Sequence, residues 1–373
     1  MQPFEKPILV TRPIFPDIDG YKDQLHDIWE SKWLSNNGPK HKELESKIKN
    51  YISAPNISLF NNGTVALQTA VQSLRLQGEV ITTPFSFPAT THVLAWNGIT
   101  PVFCDIHPET LTIDPEKIES LITARTTAIL GVHVYGIPCH VEEIDQIAAR
   151  HGLRVIYDAA HAFTTQVNEK EIAHYGDISM FSFHPTKLFH TGEGGALVYN
   201  DSTLKERIEY LKNFGIKNED EVILPGINGK MSELQAAMGL QVLPLISDEK
   251  AKRSKIRSVY TTYLGNAPGI TVLGVGANAS QSEQYFCIRV DERQFGLSRD
   301  AIYHKLKEFN VYSRKYFYPL ISKYPCYTNL PSASPDKLPV AEVAEKQVLC
   351  LPFYGDLQLD DVERICQIIL SLR

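Results

Sequence analysis

The stretch from Phe181 to Gly195, FSFHPTKLFHTGEGG, holds one lysine, Lys187, among aromatic, small and glycine residues. Apolar segments precede and follow it, which predicts that Lys187 lies on a tight connection between two buried strands. Apolar surroundings disfavour the charged form of an amine, so its pKa falls and it becomes nucleophilic. Such a lysine can form a Schiff base with an aldehyde. Ser182, at the end of the preceding strand, offers a hydroxyl to a phosphate.

Three further stretches place polar or aromatic residues at predicted strand ends or helix starts. In NNGTVAL, Gly63 permits a tight turn and Thr64 opens a helix, whose free N–H groups favour an anion. In VIYDAAHAF, Asp158 ends an apolar strand and His161 follows it. In PFSFPAT, Phe87 could stack on a flat ligand. Each has a simple structural alternative: a helix cap, a loop-capping aspartate, a core histidine and a core aromatic ring.

Taken together, these stretches are complementary to one ligand, which would carry a phosphate, a flat ring with a nitrogen, and an aldehyde. Pyridoxal phosphate (PLP) has all of these groups. The aldehyde would meet Lys187, and Asp158 would keep the pyridine nitrogen protonated, so that the ring works as an electron sink. The phosphate would be held by Gly63, Thr64 and Ser182.

The elements that must position these residues follow from the pattern of residues 60–200, where short apolar runs alternate with helical periodicity. Strands are predicted at 79–85, 100–106, 127–136, 153–160, 178–184 and 196–200. Helices are predicted at 64–74, 115–122 and 142–152. This alternation predicts an α/β fold with a largely parallel sheet covered on both faces. Ligands bind at the carboxyl ends of the strands in such sheets.

The pattern changes from about Ser232, where two long helices are predicted, and the charged run Asp248–Arg257 is interpreted as a solvated face. A strand at 285–290 and helices at 299–309 and 360–372 complete a smaller α+β unit. We therefore predict a large domain over 20–245 and a small C-terminal domain over 246–373, joined by residues 1–19.

Composition limits the classes of function. The 373 residues carry a net charge of −6, which gives no basic face for nucleic acid. No uncharged apolar stretch is long enough to span a membrane, and the N-terminus lacks a signal-peptide layout, so we expect a cytoplasmic protein. The six cysteines form no C-x-x-C pair and are interpreted as small buried hydrophobes, with no metal site expected.

Six stretches, in order along nearly the whole chain, resemble the DegT/DnrJ/EryC1/StrS family of sugar aminotransferases, which are PLP-dependent enzymes of fold type I. They are FNNGTVAL, TPFSFPATTHVLAWNG, PVFCDIHPETLTIDPEKIE, VHVYGIPCHVEEIDQIAARHGLRVIYDAAHAF, SFHPTKLFHTGEGGALV and GINGKMSELQAAMGL. One such stretch alone would be weak support, but six in family order are specific.

The resemblance implies a role for each candidate. Lys187 would bind PLP covalently and move protons, Asp158 would pair with the pyridine nitrogen, and His161 would reach the phenolic oxygen. Phe87 would stack on the ring. Asn228, in GINGKM, would reach the phosphate of a neighbouring subunit, which implies an obligate homodimer with shared sites. The phosphate contacts within the subunit would be Gly63, Thr64 and Ser182.

The resemblance is closest to enzymes that aminate carbon 4 of a dTDP-linked 4-keto-6-deoxyglucose, with glutamate as the expected amino donor. Surface polysaccharides such as O-antigen would be the destination of the product. A nucleotide diphosphate would suit the cations and aromatics at Arg314, Lys315, Tyr316 and Tyr318. That segment could instead be a partly exposed strand.

Alternatives remain at this point. The family also contains carbon-3 and UDP- or GDP-sugar aminotransferases, and 3-dehydratases in which histidine replaces the lysine, which Lys187 argues against. A regulatory paralogue without chemistry is a further alternative. Many relatives carry an aromatic and an arginine where Gly229 and Lys230 stand here, so the role of Lys230 is open.

Overall fold

A computed structural model describes residues 2–373 of the chain. Its strands are β1 (Ile8–Leu9), β2 (Asn56–Phe60), β3 (Glu79–Thr82), β4 (Thr100–Phe103), β5 (Thr126–Val132), β6 (Arg154–Asp158), β7 (Gln166–Val167), β8 (Lys170–Glu171), β9 (Ile178–Ser182), β10 (Gly195–Tyr199), β11 (Ile270–Val272), β12 (Phe286–Val290), β13 (Val311–Tyr312) and β14 (Val348–Leu351). Its α-helices are α1 (Ile18–Ser31), α2 (Pro39–Tyr51), α3 (Gly63–Ser73), α4 (Pro88–Trp96), α5 (Pro115–Ile118), α6 (Val141–His151), α7 (Leu204–Leu211), α8 (Glu233–Val242), α9 (Ile246–Leu264), α10 (Glu292–Phe295), α11 (Arg299–Glu308), α12 (Pro339–Gln347) and α13 (Leu359–Ser371).

The central sheet has seven strands in the order β2-β10-β9-β6-β5-β3-β4. Strand β10 runs antiparallel to both of its neighbours, and the other strand pairs are parallel. The predicted α/β class with a mixed, mostly parallel sheet is therefore confirmed.

Apolar strands and amphipathic helices explain why this sheet forms. All five residues of β10, GALVY, are buried, as expected for a strand covered on both faces. Helix α6 buries Val141, Ile144, Ile147 and Ala148, one stripe at helical spacing, and ends at Gly152 in the left-handed conformation that glycine favours. The sheet is thus covered by helices whose polar faces point to solvent.

The observed strands end earlier at their carboxyl ends than the sequence predicts, and the sequence analysis did not predict β2. The strand predicted at 79–85 ends at Thr82, and that at 153–160 ends at Asp158. Beyond Asp158 the chain turns, because its carboxylate accepts a hydrogen bond from the Ala160 N–H at 3.1 Å. Several residues that follow the carboxyl ends of these strands, outside the hydrogen bonding of the sheet, line the candidate site. The connection after β9 covers residues 183–194, so it is longer than the tight connection predicted.

A second sheet, β11-β12-β14, is antiparallel and belongs to the C-terminal part of the chain. The N-terminal strand β1 pairs in parallel with β13, and Phe4 and Ile8 pack in the same hydrophobic cluster as α9, α11 and α13. The division into domains 20–245 and 246–373, with residues 1–19 joined to the second, stays a prediction.

Helix α9 corrects the interpretation of the charged run Asp248–Arg257. Glu249 and Arg253 are buried rather than solvated, and the Arg253 Nε lies 2.6 Å from the Glu249 carboxylate. One turn of a charged helix separates these two residues, which lets them pair inside the protein. The exposed charges of α9 include Asp248, Lys252 and Lys255, whereas Arg257 is partly buried and pairs with Glu283.

Over residues 2–373, every helix is too short or too polar to cross a lipid bilayer. Five of the six cysteines are buried, in line with their interpretation as small hydrophobes, and Cys326 is exposed.

Candidate active site

A cavity of about 730 Å³ opens at the carboxyl ends of the central strands, where the fold class predicts a ligand. It brings together most of the predicted site residues from distant parts of the chain. The predicted residues on its wall are Gly63, Thr64, Phe87, Asp158, His161, Ser182, Lys187 and Tyr316.

Lys187 lies on the connection between β9 and β10, whose ends are paired at Ser182 and Gly195. The Lys187 N–H donates to the His184 carbonyl at 2.9 Å, a turn that directs the residue to the cavity wall. Burial lowers the pKa of the Lys187 amine to about 8, and the Asp158 carboxylate partly opposes this shift. A lysine with this pKa has a substantial neutral, nucleophilic fraction near neutral pH.

Asp158 ends β6 and is held by a short chain of hydroxyl groups. Its carboxylate accepts from the Thr90 hydroxyl at 2.8 Å, and the Ser86 hydroxyl lies 2.7 Å from that of Thr90. Burial raises the pKa of the Asp158 carboxyl, while donors at Thr90 and Ala160 and the charge of Lys187 oppose the rise. The carboxylate is therefore fixed in direction and sensitive to any cation brought into the cavity.

His161 has a defined tautomer when neutral. Its Nδ1 accepts from the Tyr135 N–H at 3.1 Å, which leaves the proton on Nε2. Burial and the positive charge of Lys187 hold the pKa of His161 well below its usual range. The ring lies parallel to Phe317 at 6.0 Å and packs edge-on against Tyr285 at 5.0 Å. His161 is thus a neutral, oriented donor on the cavity wall.

The first turn of α3 forms the polar end of the cavity. Asn62 caps the helix by accepting from the Val65 N–H at 2.8 Å, and the N–H groups of Gly63 and Thr64 lie at the start of the helix. The sequence interpretation of Gly63 as a turn residue is wrong, since its backbone is helical. A Cβ at Gly63 would meet the Ser182 Cβ at 3.1 Å, so glycine is there to let α3 approach β9.

Phe87 and Phe85 have different environments although they are two residues apart. Phe85 is fully buried in the core, whereas Phe87 exposes 58% of its surface at the cavity. Phe87 precedes Pro88 at the start of α4, which fixes the backbone that carries the ring. An exposed aromatic ring on a rigid helix start has a free face for stacking.

Four predicted residues do not line the cavity within this chain. Asn228 is exposed on a loop. Its backbone carbonyl accepts a hydrogen bond from the Asn61 side-chain nitrogen at 3.1 Å. The Lys315 ammonium lies 3.1 Å from the Asp300 carboxylate, so its charge already has a partner. Arg314 and Tyr318 are exposed.

Lys230 does not line the cavity either. Its ammonium binds the Asn213 side chain at 2.8 Å and lies over the Phe214 ring.

Several residues on or around the cavity were not found in the sequence. Thr90, Tyr135 and Tyr285 each touch a predicted site residue, yet nothing in their local sequence distinguishes them from core residues. Within residues 2–373, no cluster of three or more His, Cys, Asp or Glu side chains could hold a metal ion.

Residues 18–370 match the DegT/DnrJ/EryC1/StrS aminotransferase family. The chain belongs to this family. It is 49% identical over 370 residues to dTDP-4-amino-4,6-dideoxy-D-glucose transaminase of Escherichia coli, covering 98% of this chain and 99% of that protein. It is 44% identical to the transaminase of the same name from Shigella dysenteriae, covering 99% of this chain and all of that protein.

The fold is also similar to the solved structure of DesI in the presence of its TDP-sugar product. The TM-score is 0.94 at 35% identity, and the match covers 100% of this chain and 94% of DesI. The predicted family, the aminotransferase fold and the assignment as an aminotransferase are confirmed by these matches.

Proposed function

We propose that this aminotransferase converts dTDP-4-dehydro-6-deoxyglucose to the 4-amino sugar, with PLP as cofactor and glutamate as amino donor. One observation carries the proposal: Lys187 and Asp158 share a cavity with the first turn of α3, in a chain 49% identical to a dTDP-4-amino-4,6-dideoxy-D-glucose transaminase. Nucleotide sugars are also supported as the substrate class by the TDP-sugar product of DesI.

The residues of the cavity fit PLP at each of its functional groups. The phosphate would lie at the first turn of α3, where free N–H groups, the Thr64 hydroxyl and the Ser182 hydroxyl favour an anion. Asp158 would hold the pyridine nitrogen, His161 would donate from Nε2 to the phenolic oxygen, and Lys187 would bind the aldehyde carbon. Phe87 would stack on the ring. When bound, PLP supplies a carbonyl conjugated to an electron-withdrawing ring, which accepts and releases an amino group.

The protein's own groups then account for catalysis. Asp158 stabilises a positive charge at the bottom of the cavity, because its carboxylate is fixed by Thr90 and Ala160 and is shielded from water. The free Lys187 amine on the cavity wall would be the group that takes or gives a proton at the reacting carbon. Its pKa of about 8 suits an acid–base group that must both take and give a proton near neutral pH.

For the substrate we keep Arg314, Lys315, Tyr316 and Tyr318 as proposed nucleotide-sugar contacts. Tyr316 has the strongest support, because it lies on the cavity wall between Tyr285 and Phe317. The sequence alternatives within the family, amination at carbon 3 or of a UDP- or GDP-sugar, differ from this proposal in the substrate. They are therefore distinguished by substrate and product rather than by the cofactor residues.

A homodimer with shared sites is part of the proposal. Asn228 is exposed and does not line the chain's own cavity, and the loop that carries it also exposes apolar side chains. Phe214, Val222 and Ile223 expose 49%, 69% and 50% of their surfaces. Exposed apolar groups close together favour contact with another protein surface, and a twofold contact would bring Asn228 to the partner's phosphate.

The experiment that tests the function is a mass-spectrometric screen of dTDP-, UDP- and GDP-keto sugars, each with glutamate and PLP. We expect a dTDP-4-amino-4,6-dideoxyglucose product whose formation is lost in Lys187→Ala, with circular dichroism confirming that the variant folds. Conversion of a UDP- or GDP-sugar in preference would support the alternative substrates. Normal turnover by Lys187→Ala would show that Lys187 is not the catalytic lysine.

A further inference from the structure

Gln284 holds the backbone on both sides of Lys187. Its side-chain oxygen accepts from the Leu188 N–H at 2.7 Å, and its side-chain nitrogen donates to the Thr186 carbonyl at 2.8 Å. Because an N–H group only donates and a carbonyl only accepts, this pair of contacts fixes the orientation of the amide. Gln284 is 2% exposed; its bond to Leu188 is buried and its bond to Thr186 is partly buried.

The segment that carries Gln284 is itself anchored by two arginines of α9. Arg257 donates to the Glu283 carboxylate at 2.8 Å and to the Tyr285 carbonyl at 3.0 Å. Arg253 donates to the Glu283 carbonyl at 3.1 Å. Glu283 has a φ of 57°, a backbone conformation that a non-glycine residue adopts only when its surroundings enforce it.

The same segment also packs against the loop that orients His161. A Cβ at Gly136 would collide with the Ser282 side chain, so residues 136 and 282 are in close contact. Tyr135, next to Gly136, donates to His161, and Tyr285 packs edge-on against the His161 ring. Residues 282–285 therefore contact the groups that hold Lys187 and His161 in place, and both of these residues are proposed cofactor contacts.

We propose that Gln284 is a positioning residue for Lys187: its amide clamps the peptides before and after the lysine and ties that loop to α9. This inference rests on the proposed role of Lys187. In that role the lysine would hold the cofactor covalently and would also act as a free amine, so its side chain would have to move. A clamp on its backbone lets the side chain move while its Cα stays in place, which preserves the geometry that proximity effects require.

The test uses Gln284→Met, which keeps the length of the side chain and removes both bonds. We expect hydrogen–deuterium exchange of the 183–190 segment to rise about tenfold in the cofactor-free protein, because opening of the loop no longer breaks these two bonds. In the PLP-loaded enzyme, kcat should fall about tenfold to a hundredfold with little change in KM. Gln347→Met is the matched control, since Gln347 accepts from Arg289 away from the cavity.

Gln284→Glu gives a second measurement that a purely structural role would not alter. The ionised carboxylate still accepts from Leu188 but cannot donate to Thr186, whereas the protonated form can do both. The ratio of its kcat to that of wild type should therefore rise as pH falls. A flat ratio, or wild-type exchange and kcat in Gln284→Met, would overturn the inference while Lys187→Ala stays inactive. Activity in Lys187→Ala would instead remove the proposed function.

Discussion

At the scale of single residues, the cavity holds a carboxylate and an amine whose pKa values are both shifted by burial. The pKa of Asp158 is raised and that of Lys187 is lowered to about 8, so each group is harder to charge than in water. Protein folding alone does not benefit from such groups, because burial of charge is unfavourable. Their presence together indicates a site selected for chemistry.

Lys187→Met is expected to stabilise the cofactor-free protein at neutral pH. The pKa of Lys187 falls from 10.5 to about 8 on folding, so the unfolded chain holds the extra proton between these values. The free-energy cost of burying the charged amine is fully present below pH 8, and it disappears as the pH rises to 10.5. After allowance for partial exposure, the gain at pH 7 should be about 1–3 kcal/mol.

Chemical unfolding at pH 7 and 10 measures this gain at a fixed protein concentration. The stability gained by Lys187→Met should be smaller at pH 10 than at pH 7. Lys255→Met, at an exposed position on α9, is the control for removal of a surface lysine. A gain equal at both pH values would mean that loss of a charged amine is not its cause.

Asp158→Asn is expected to reduce catalysis far more than stability. The asparagine oxygen can still accept from the Ala160 N–H, and the amide can donate to the Thr90 hydroxyl, so unfolding free energy should change by about 1 kcal/mol or less. Without the negative charge, a cation on the ring nitrogen is no longer stabilised, and kcat should fall at least about a hundredfold. Steady-state kinetics and chemical unfolding measure the two quantities.

Asp105→Asn is the matched control, because Asp105 is also buried but lies outside the cavity, where it pairs with Lys117 and accepts from the N–H groups of Val340 and Ala341. It should lose stability and keep most of its kcat. If Asp158→Asn turned over normally, Asp158 would be a loop cap and the proposed orientation of the cofactor would be wrong.

At the scale of elements, the anion site depends on how closely α3 approaches the central sheet. Gly195 opens β10, and a Cβ there would lie 2.8 Å from the Gly63 nitrogen and Cα. Gly63 in turn leaves no space for a side chain against Ser182. Two glycines therefore allow the helix start, β9 and β10 to meet at the point where a phosphate would be held.

Gly195→Ala is expected to weaken PLP binding. Overpacking of this kind costs about 1–3 kcal/mol. If the α3 start shifts to relieve the contact and about 1.4 kcal/mol is lost from PLP binding, the dissociation constant for PLP rises about tenfold. Fluorescence titration of the cofactor-free protein with PLP measures the change. Gly274→Ala is the control, since the nearest atom to its new Cβ is a flexible side-chain nitrogen of Gln281 at 3.3 Å. An unchanged affinity for Gly195→Ala would place the phosphate elsewhere.

At the scale of the whole molecule, the proposal divides each active site between two chains. The cavity wall includes the proposed phosphate and ring contacts but not Asn228, which is exposed beside an apolar surface. A second copy is the partner that the proposed function requires. Local contacts give Asn228 only a turn role, since its backbone bridges to Asn213.

A subunit-mixing experiment distinguishes a turn role for Asn228 from a role in the partner's site. Lys187→Ala subunits are combined with Asn228→Ala subunits, each impaired as a homodimer. If Asn228 acts in the partner's site, the heterodimer has one site with both lesions and one with neither, so activity should return. If Asn228 serves its own chain, every site keeps a lesion. Failure to recover activity when heterodimers are present would count against shared sites.

The local sequence was sufficient for the fold class, and it singled out Lys187 and most of the residues that the structure brings together at one cavity. Strand β10 is a continuous apolar run, and this pattern predicts burial on both faces without any knowledge of partners. Lys187, Asp158 and Gly63 stand out because each interrupts or ends such a pattern. Sequence resemblance then supplied the family, which periodicity alone could not.

Only the tertiary structure decided which side chains support those residues. Gln284 reaches the peptides around Lys187 from almost a hundred positions away, and its neighbours Glu283 and Arg253, which the charge pattern assigned to solvent or left without a role, are buried partners. Hydrogen bonds between distant segments depend on where the chain returns in space. Periodicity records only whether a residue faces the core, so it cannot identify the group that the residue meets there.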